Sequence, residues 1–192
     1  MEHRELIELH EFNKYLSIQG FTDVRISSID AFFKQIRTAI KPNHLQVLDA
    51  KFVAGEQHLL FAILNALNAF QQSHNISESL EVEVLLYASG QRQIRKAIDL
   101  LGVKPATSEI AVAVITANKD DVKGIEAKIA GIVPGKREDN VLRHQEGKAE
   151  RLIEAFDITD TELEVASENR ETLWEALVAI IIEKCALLAI NR

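Results

Sequence analysis

Hydrophobic and polar positions along the chain change period several times, and each period predicts an element. Between 80 and 88, Leu80, Val82 and Val84 alternate with Glu81 and Glu83, and the run turns apolar on both faces at Leu85 and Leu86. This pattern predicts a strand over 80–88 that enters the interior of a covered sheet. A tight Ser89-Gly90 turn leads into a helix over 91–101, in which Ile94, Ala97, Ile98 and Leu101 fall at i, i+3, i+4 and i+7 and form a core stripe. Gly102 and Pro105 stop that helix.

The same reading extends to the rest of the chain. Residues 6–12 and 14–18 predict two short strands around an Asn13 turn. Ser28 caps a helix over 29–40 that Pro42 closes and that exposes Lys34, Arg37 and Lys41. A compact strand over 45–49 precedes a long helix over 56–70, whose apolar residues cover so much of the wheel that the helix is expected to pack on two sides. A buried strand over 109–116 and a helix with an acidic start over 121–129 follow. Residues 131–147, with Pro134, Gly135 and a dense charge mixture, read as an exposed loop or loose helical excursion. The last third holds a short helix near 159–165 and a long one over 168–190. Alternating strands and helices favour an α/β or α+β fold: a single domain, 1–192, with a mixed central sheet covered by helices and a long C-terminal helix.

Composition narrows the class of partner. The 192 residues suffice for a substantial core, and a net charge of −7 argues against a surface that grips nucleic acid everywhere while leaving room for a local basic patch. Cys185 is the sole cysteine, which excludes an intramolecular disulfide and a cysteine-rich zinc site and fits a reducing cytoplasm. The start of the chain has no apolar signal core, and no uncharged run reaches membrane-spanning length, so a cytoplasmic protein that neither enters nor crosses a membrane is expected.

Candidate chemistry is sparse. Gly131 to Arg137 superficially resembles a phosphate-binding loop but has the wrong glycine spacing, a proline in the cradle and Arg137 where a magnesium-binding hydroxyl belongs. The six histidines do not fall at metal-ligand spacing, and no nucleophile elbow or dinucleotide fingerprint occurs, so neither metal nor cofactor is expected. Cys185, among Ile181, Ile182, Ala186 and Leu187, reads as a small core residue. His58, one turn into its helix, reads either as an RNA or phosphate contact or as a partly buried residue near a helix start. A rival reading, a small doubly wound nucleotide-binding protein or enzyme, would place a phosphate turn at Ser89-Gly90, where a strand feeds a helix; a homo-oligomeric structural domain is a third.

The helix from Gly55 through Ala66 (GEQHLLFAILNA), the segment from Glu83 through Ile98 (EVLLYASGQRQIRKAI), Gly102-Val103, and the final apolar helix after a short Ile-Thr-x-x-x-Leu helix together resemble the kinase-binding CGI-type subunit of the KEOPS (EKC) complex, in its archaeal form. The likeness runs from about Leu45 onward and leaves out roughly 135–152, which looks like extra length. The resemblance implies a non-catalytic adaptor that binds a small atypical protein kinase/ATPase subunit, touches the other subunits only indirectly, and helps present the 3′ CCA end of tRNA for threonylcarbamoyladenosine modification.

Two sets of site residues follow. Arg92, Arg95 and Lys96 lie at i, i+3 and i+4, with Gln93 beside them and Lys104 just beyond; with His58 they form the expected RNA-binding set. On the terminal helix, Leu173, Trp174, Leu177, Val178, Ile180, Ile181, Cys185, Leu187 and Leu188 span about half the wheel, more than one packing face requires. The expected kinase-facing surface is Ile158, Leu163, Leu177, Ile181 and Leu188, with the helix over 56–70 as the alternative.

Overall fold

The computed structural model describes residues 6–168 and 170–189. Strands β1 (Ile7–Leu9), β2 (Lys14–Thr22), β3 (His44–Asp49), β4 (Ile110–Thr116) and β5 (Lys136–Arg137) form one sheet of order β1-β2-β4-β3, with β5 paired to the end of β2. Every pairing is antiparallel, so the fold is α+β, and the sheet is uniform where a mixed one was expected. The reason lies in the segment that misled the sequence reading. Residues 80–88 are not a strand but helix α3 (Leu80–Ser89), so the chain from β3 to β4 passes through helices alone and returns antiparallel.

Helix α3 is buried nearly all round, Leu80, Val84, Leu85, Leu86, Tyr87 and Ala88 included, and a short run apolar on every side has no period that separates helix from strand. Local signals decide for the helix. Ser79 Oγ accepts from Val82 N, and acidic residues fill the first turn. Glu83, fully buried, turns away from Glu81 and accepts hydrogen bonds from the backbone N–H groups of Ile76 and Ser77 at 2.8–3.1 Å.

Alternation along the strands loads both sheet faces. Leu16, Ile18, Ala111, Ala113, Ile115 and Leu48 face α3 and α2 (Glu56–Gln71). Phe21, Leu45, Val47, Ile110, Val112 and Val114 face α1 (Ile29–Ile40) and α5 (Val122–Ile132). Helix α4 (Ile94–Leu101) begins three residues later than expected and buries only Ala97 and Leu101 of its stripe; Ile94 and Ile98 remain 46% and 48% exposed. Beyond the sheet, α6 (Lys148–Ala155), α7 (Asp160–Ser167) and α8 (Leu173–Leu187) build a further core around Leu152, Phe156, Leu177, Ile181 and Cys185. The terminal helix starts at Leu173 instead of near 168, fixed there by a reciprocal cap of Thr172 and Glu175, and it ends at Leu187 with Leu188 as its C-cap; of the expected stretch to 190, only residue 190 lies outside the described residues.

The segment expected to be an exposed loop is also anchored. Its Lys136–Arg137 strand pairs with β2, Val141 is buried over Gly20, and Leu142 is buried in the same core. A Cβ on Gly20 would stand 2.6 Å from Val141 Cγ2 and 2.7 Å from the Glu138 carbonyl oxygen, so only glycine admits this close approach. Lys148, also buried, donates to the Val141 carbonyl at 2.7 Å.

Candidate partner-binding surfaces

Helix α8 is apolar on almost every side, yet its outward face is not the one expected. Leu177 and Ile181 are fully buried against the α6 core, Ile158 is buried in the same cluster, and Leu188 packs into the α2/α3 core. In this conformation no partner reaches those four side chains; they hold the helix to its own protein. Only Leu163 of the expected set is part-exposed. The apolar atoms left outside on α8 belong to Leu173 and Leu187 at its two ends, 54% and 42% exposed, and to the part-exposed Trp174 and Ile182 beside the buried stripe. Phe61 of α2, 42% exposed, adds an outward aromatic on the helix that packs beside α8.

A shallow depression of about 620 Å³ runs among Gln57, Arg170, Trp174, Val178 and Ile182. His144, from the extra segment, stacks on the Trp174 ring at 4.8 Å between centroids. The charge-mixed excursion therefore touches the same surface. Sequence reasoning missed Trp174, Ile182 and Phe61 because periodicity reports that a helix is over-apolar but not which part of the surplus its neighbours consume.

His58 lies at the centre of the molecule and is removed from any RNA contact. Its Nδ1 accepts from Ala54 N at 3.1 Å, which fixes the proton on Nε2, and Nε2 donates to the Ala88 carbonyl at 2.7 Å. Burial is the main cause that lowers its pKa to about 4, so the ring is neutral near pH 7. Cys185 Sγ sits 3.6 Å from Nε2, and burial raises the thiol to about 12, which leaves an inert pair that joins α2, α3 and α8.

The basic residues divide between two places. Arg92, Gln93, Arg95, Lys96 and Lys104 are all exposed. Arg92 precedes α4 instead of occupying its first turn, and its guanidinium donates to the Leu188 carbonyl at 3.3 Å, a cation at the end of α8 where the helix dipole favours one. Lys104 Nζ donates to the Asp99 carbonyl. Arg92 borders a polar cleft of about 780 Å³ lined by Asn65, Asn68, Gln72, His74, Asn75 and Tyr87 among others. Asn65, Asn68 and Gln72 recur at i, i+3 and i+7, a signal that was legible in the sequence as an amide stripe on α2.

The rival nucleotide site loses its footing. Ser89-Gly90 ends a helix, with Gly90 in the left-handed conformation as C-cap, so the dipole there presents carbonyls and repels an anion. The glycine pair at 131–135 leaves a helix and enters a strand, the reverse of the order a phosphate cradle uses. Among the described residues no three His, Cys, Asp or Glu side chains converge on a metal position, and no helix is long and apolar enough to cross a membrane.

An antiparallel sheet covered by helices, with apolar side chains left outside on two of them, is the class of structure these residues build. The chain belongs to the family described as Kinase binding protein CGI-121, whose model matches residues 21–189. It is similar to the Regulatory protein Cgi121 of Methanocaldococcus jannaschii, with 33% identity over 113 residues that make up 59% of this chain and 70% of the relative.

Proposed function

We propose that this protein is the regulatory adaptor of a KEOPS complex, docking the small atypical kinase/ATPase subunit on the α2/α8 surface and recruiting tRNA through its 3′ CCA end, without catalysing a reaction itself. The observation that carries the docking half is the pair Trp174 and Ile182, part-exposed on α8 and lining one shallow depression with Gln57 of α2, with Phe61, Leu173 and Leu187 as further exposed apolar side chains on the same two helices. An apolar surface that the chain covers only in part, here by the His144 ring on Trp174, generally marks an interaction surface, and a family of kinase-binding proteins suggests the occupant. Trp174 is the expected anchor, since partly exposed tryptophans dominate interface energies.

The RNA half rests on the polar cleft beside Arg92. Amide side chains of Asn65, Asn68 and Gln72 suit base edges and ribose, His74 offers a ring for stacking, and Arg92 supplies charge at the rim. Lys96 and Gln93 extend that charge and hydrogen bonding outside the cleft, while Lys104 lies at the far end of α4. His58 plays no part in it.

Two measurements test the halves separately. Kinase capture should fail for Ile182→Glu and for Trp174→Ala while both variants melt near the parent temperature; retained capture by both would remove α8 from the interface. Binding of tRNA should fall with salt and weaken about tenfold when Arg92 and Lys96 become alanine or the CCA end is removed. Equal affinity of the double variant at low salt would dismiss the cleft.

A further inference from the structure

Trp174, the anchor of the proposed kinase surface, is touched by a residue that belongs to neither helix of that surface. His144 lies in the turn between Leu142 and α6, and its ring stacks on the indole with 4.8 Å between centroids and 27° between planes. His144 is itself exposed, so the stack is not a by-product of core packing. The ring covers part of the indole. The depression beside Trp174 is lined by Gln57, Val178 and Ile182 among others, with no residue of the turn, so a partner meets the part of the indole that His144 leaves open.

The turn is tied down at both ends. Val141 and Leu142 before it and Lys148 after it are buried, and Lys148 Nζ reaches back to the Val141 carbonyl at 2.7 Å. Inside the turn, Arg143 N donates to the Asn140 carbonyl at 2.9 Å, Gln145 Nε2 donates to the same carbonyl at 3.0 Å, and Lys148 N donates to the Gln145 carbonyl at 3.1 Å. The Leu142 carbonyl lies against Gly55, where a Cβ would stand 3.3 Å away, so the turn also abuts the start of the helix that supplies Gln57. Swinging the turn aside would strip a buried ammonium of its acceptor, a loss larger than a surface contact returns. His144 is a fixed wall and not a flap.

Such a wall answers a need set by where Trp174 falls in its helix. A long helical side chain leans toward the N-terminus and rests on the preceding turn. Trp174 is the second residue of α8, so no earlier turn of its own helix lies beneath the indole. A part-exposed ring without that support samples several rotamers, and a partner that needs one of them loses affinity by freezing it. Stacking on a histidine held from elsewhere supplies the missing support before the partner arrives.

We propose that His144 is a positioning residue of the α2/α8 surface: it holds the Trp174 indole in the orientation that the kinase/ATPase subunit accepts, and the turn that carries it stays in place in the complex. This role rests on the kinase docking proposed for that surface. Trp174 is the only tryptophan of the chain, so its fluorescence reports the contact directly. With the full chain, His144→Ala should increase acrylamide quenching of Trp174 and lower its anisotropy while melting near the parent temperature, and His144→Phe, which keeps a ring to stack, should restore both signals. Should His144→Ala melt early, His144→Ser takes its place. Binding of the purified kinase/ATPase subunit should weaken about three- to tenfold in His144→Ala, the range of an aromatic pair, and recover in His144→Phe. Unchanged quenching in His144→Ala would show that the ring is not held, and altered quenching with unchanged kinase binding would show that the kinase does not use its orientation; either overturns the proposal. Tighter binding by His144→Ala overturns it as well, since the turn would then be a cover that the kinase must displace. If Trp174→Ala binds the kinase as the parent does, the docking surface itself is wrong and the role of His144 falls with it. Loss of binding in Trp174→Ala beside parent-like binding in His144→Ala would instead leave the docking surface standing and remove His144 alone.

Discussion

His58 shows how one buried side chain ties stability to pH. The ring titrates near 4 in the folded protein against about 6.5 unfolded. Between those values the unfolded chain binds a proton that the native one refuses, so the contribution is complete above about pH 6.5 and is lost as pH falls toward 4. The difference is worth about 3 kcal/mol across that window. Urea melts from pH 7 to pH 4 should therefore steepen below pH 6.5, and His58→Gln, though less stable at pH 7, should show a shallower decline. Equal slopes would mean that other groups govern acid sensitivity. Glu83 makes a different demand, because it accepts three close contacts from two backbone N–H groups in the 76–77 turn. Glu83→Leu should cost about 2–4 kcal/mol, as buried donors lose a charged acceptor, with faster hydrogen exchange at Ile76 and Ser77 as the local sign.

At the scale of elements, the 136–142 segment behaves as a clasp over the end of β2. Gly20 N donates to Asp139 Oδ1 at 2.8 Å, Glu138 N donates to the Gly20 carbonyl at 2.9 Å, and the side chains of Val141 and Leu142 are buried. Gly20→Ala should push this segment off, lowering stability by about 2–3 kcal/mol and releasing exchange protection at 138–142 while the α2 amides stay protected; uniform loss of protection would instead mean that the sheet itself failed. Lys148 holds the same clasp from below, and burial lowers its pKa to about 8. The unfolded chain keeps that proton up to about pH 10.4, so this burden on the native state eases as pH rises from 8 to 10.4, and Lys148→Met should lack the corresponding gain. The helices on either side were easier to read. Ser28, Thr159 and Thr172 each cap a helix that starts where the sequence placed it or a few residues later. Helix α3 was read as a strand because a short segment buried on all sides loses the exposed face that gives periodicity its meaning.

Across the whole molecule, the apolar surface of α8 is divided between a buried core and the exposed side chains of the proposed docking surface, and substitutions should separate the two. Leu177→Glu should unfold the protein, because that side chain has no exposure in the α6/α8 cluster. Leu173→Glu, more than half exposed at the start of the same helix, should leave the melting temperature within a few degrees and weaken kinase capture by tenfold or more. Calorimetry paired with a pull-down reads both effects in one preparation. A folded Leu177→Glu, or a Leu173→Glu that unfolds, would reverse the division drawn here.

The chain by itself determined the α+β class, the positions of most helices and strands, the family likeness, the excess of apolar surface on α8 and the basic run at Arg92 to Lys96. These are properties of local order and spacing, and local order survives in a one-dimensional reading. Tertiary structure alone decided that 80–88 is a helix, that His58 is sealed in the core, that Ile94 and Ile98 face outward, and that Leu177 and Ile181 face inward. Each of these depends on which neighbour arrives from far along the chain: α6 on α8, β2 on the 136–142 segment, α3 on His58. A wheel gives the width of an apolar arc, but only packing divides that arc between the protein and its partners.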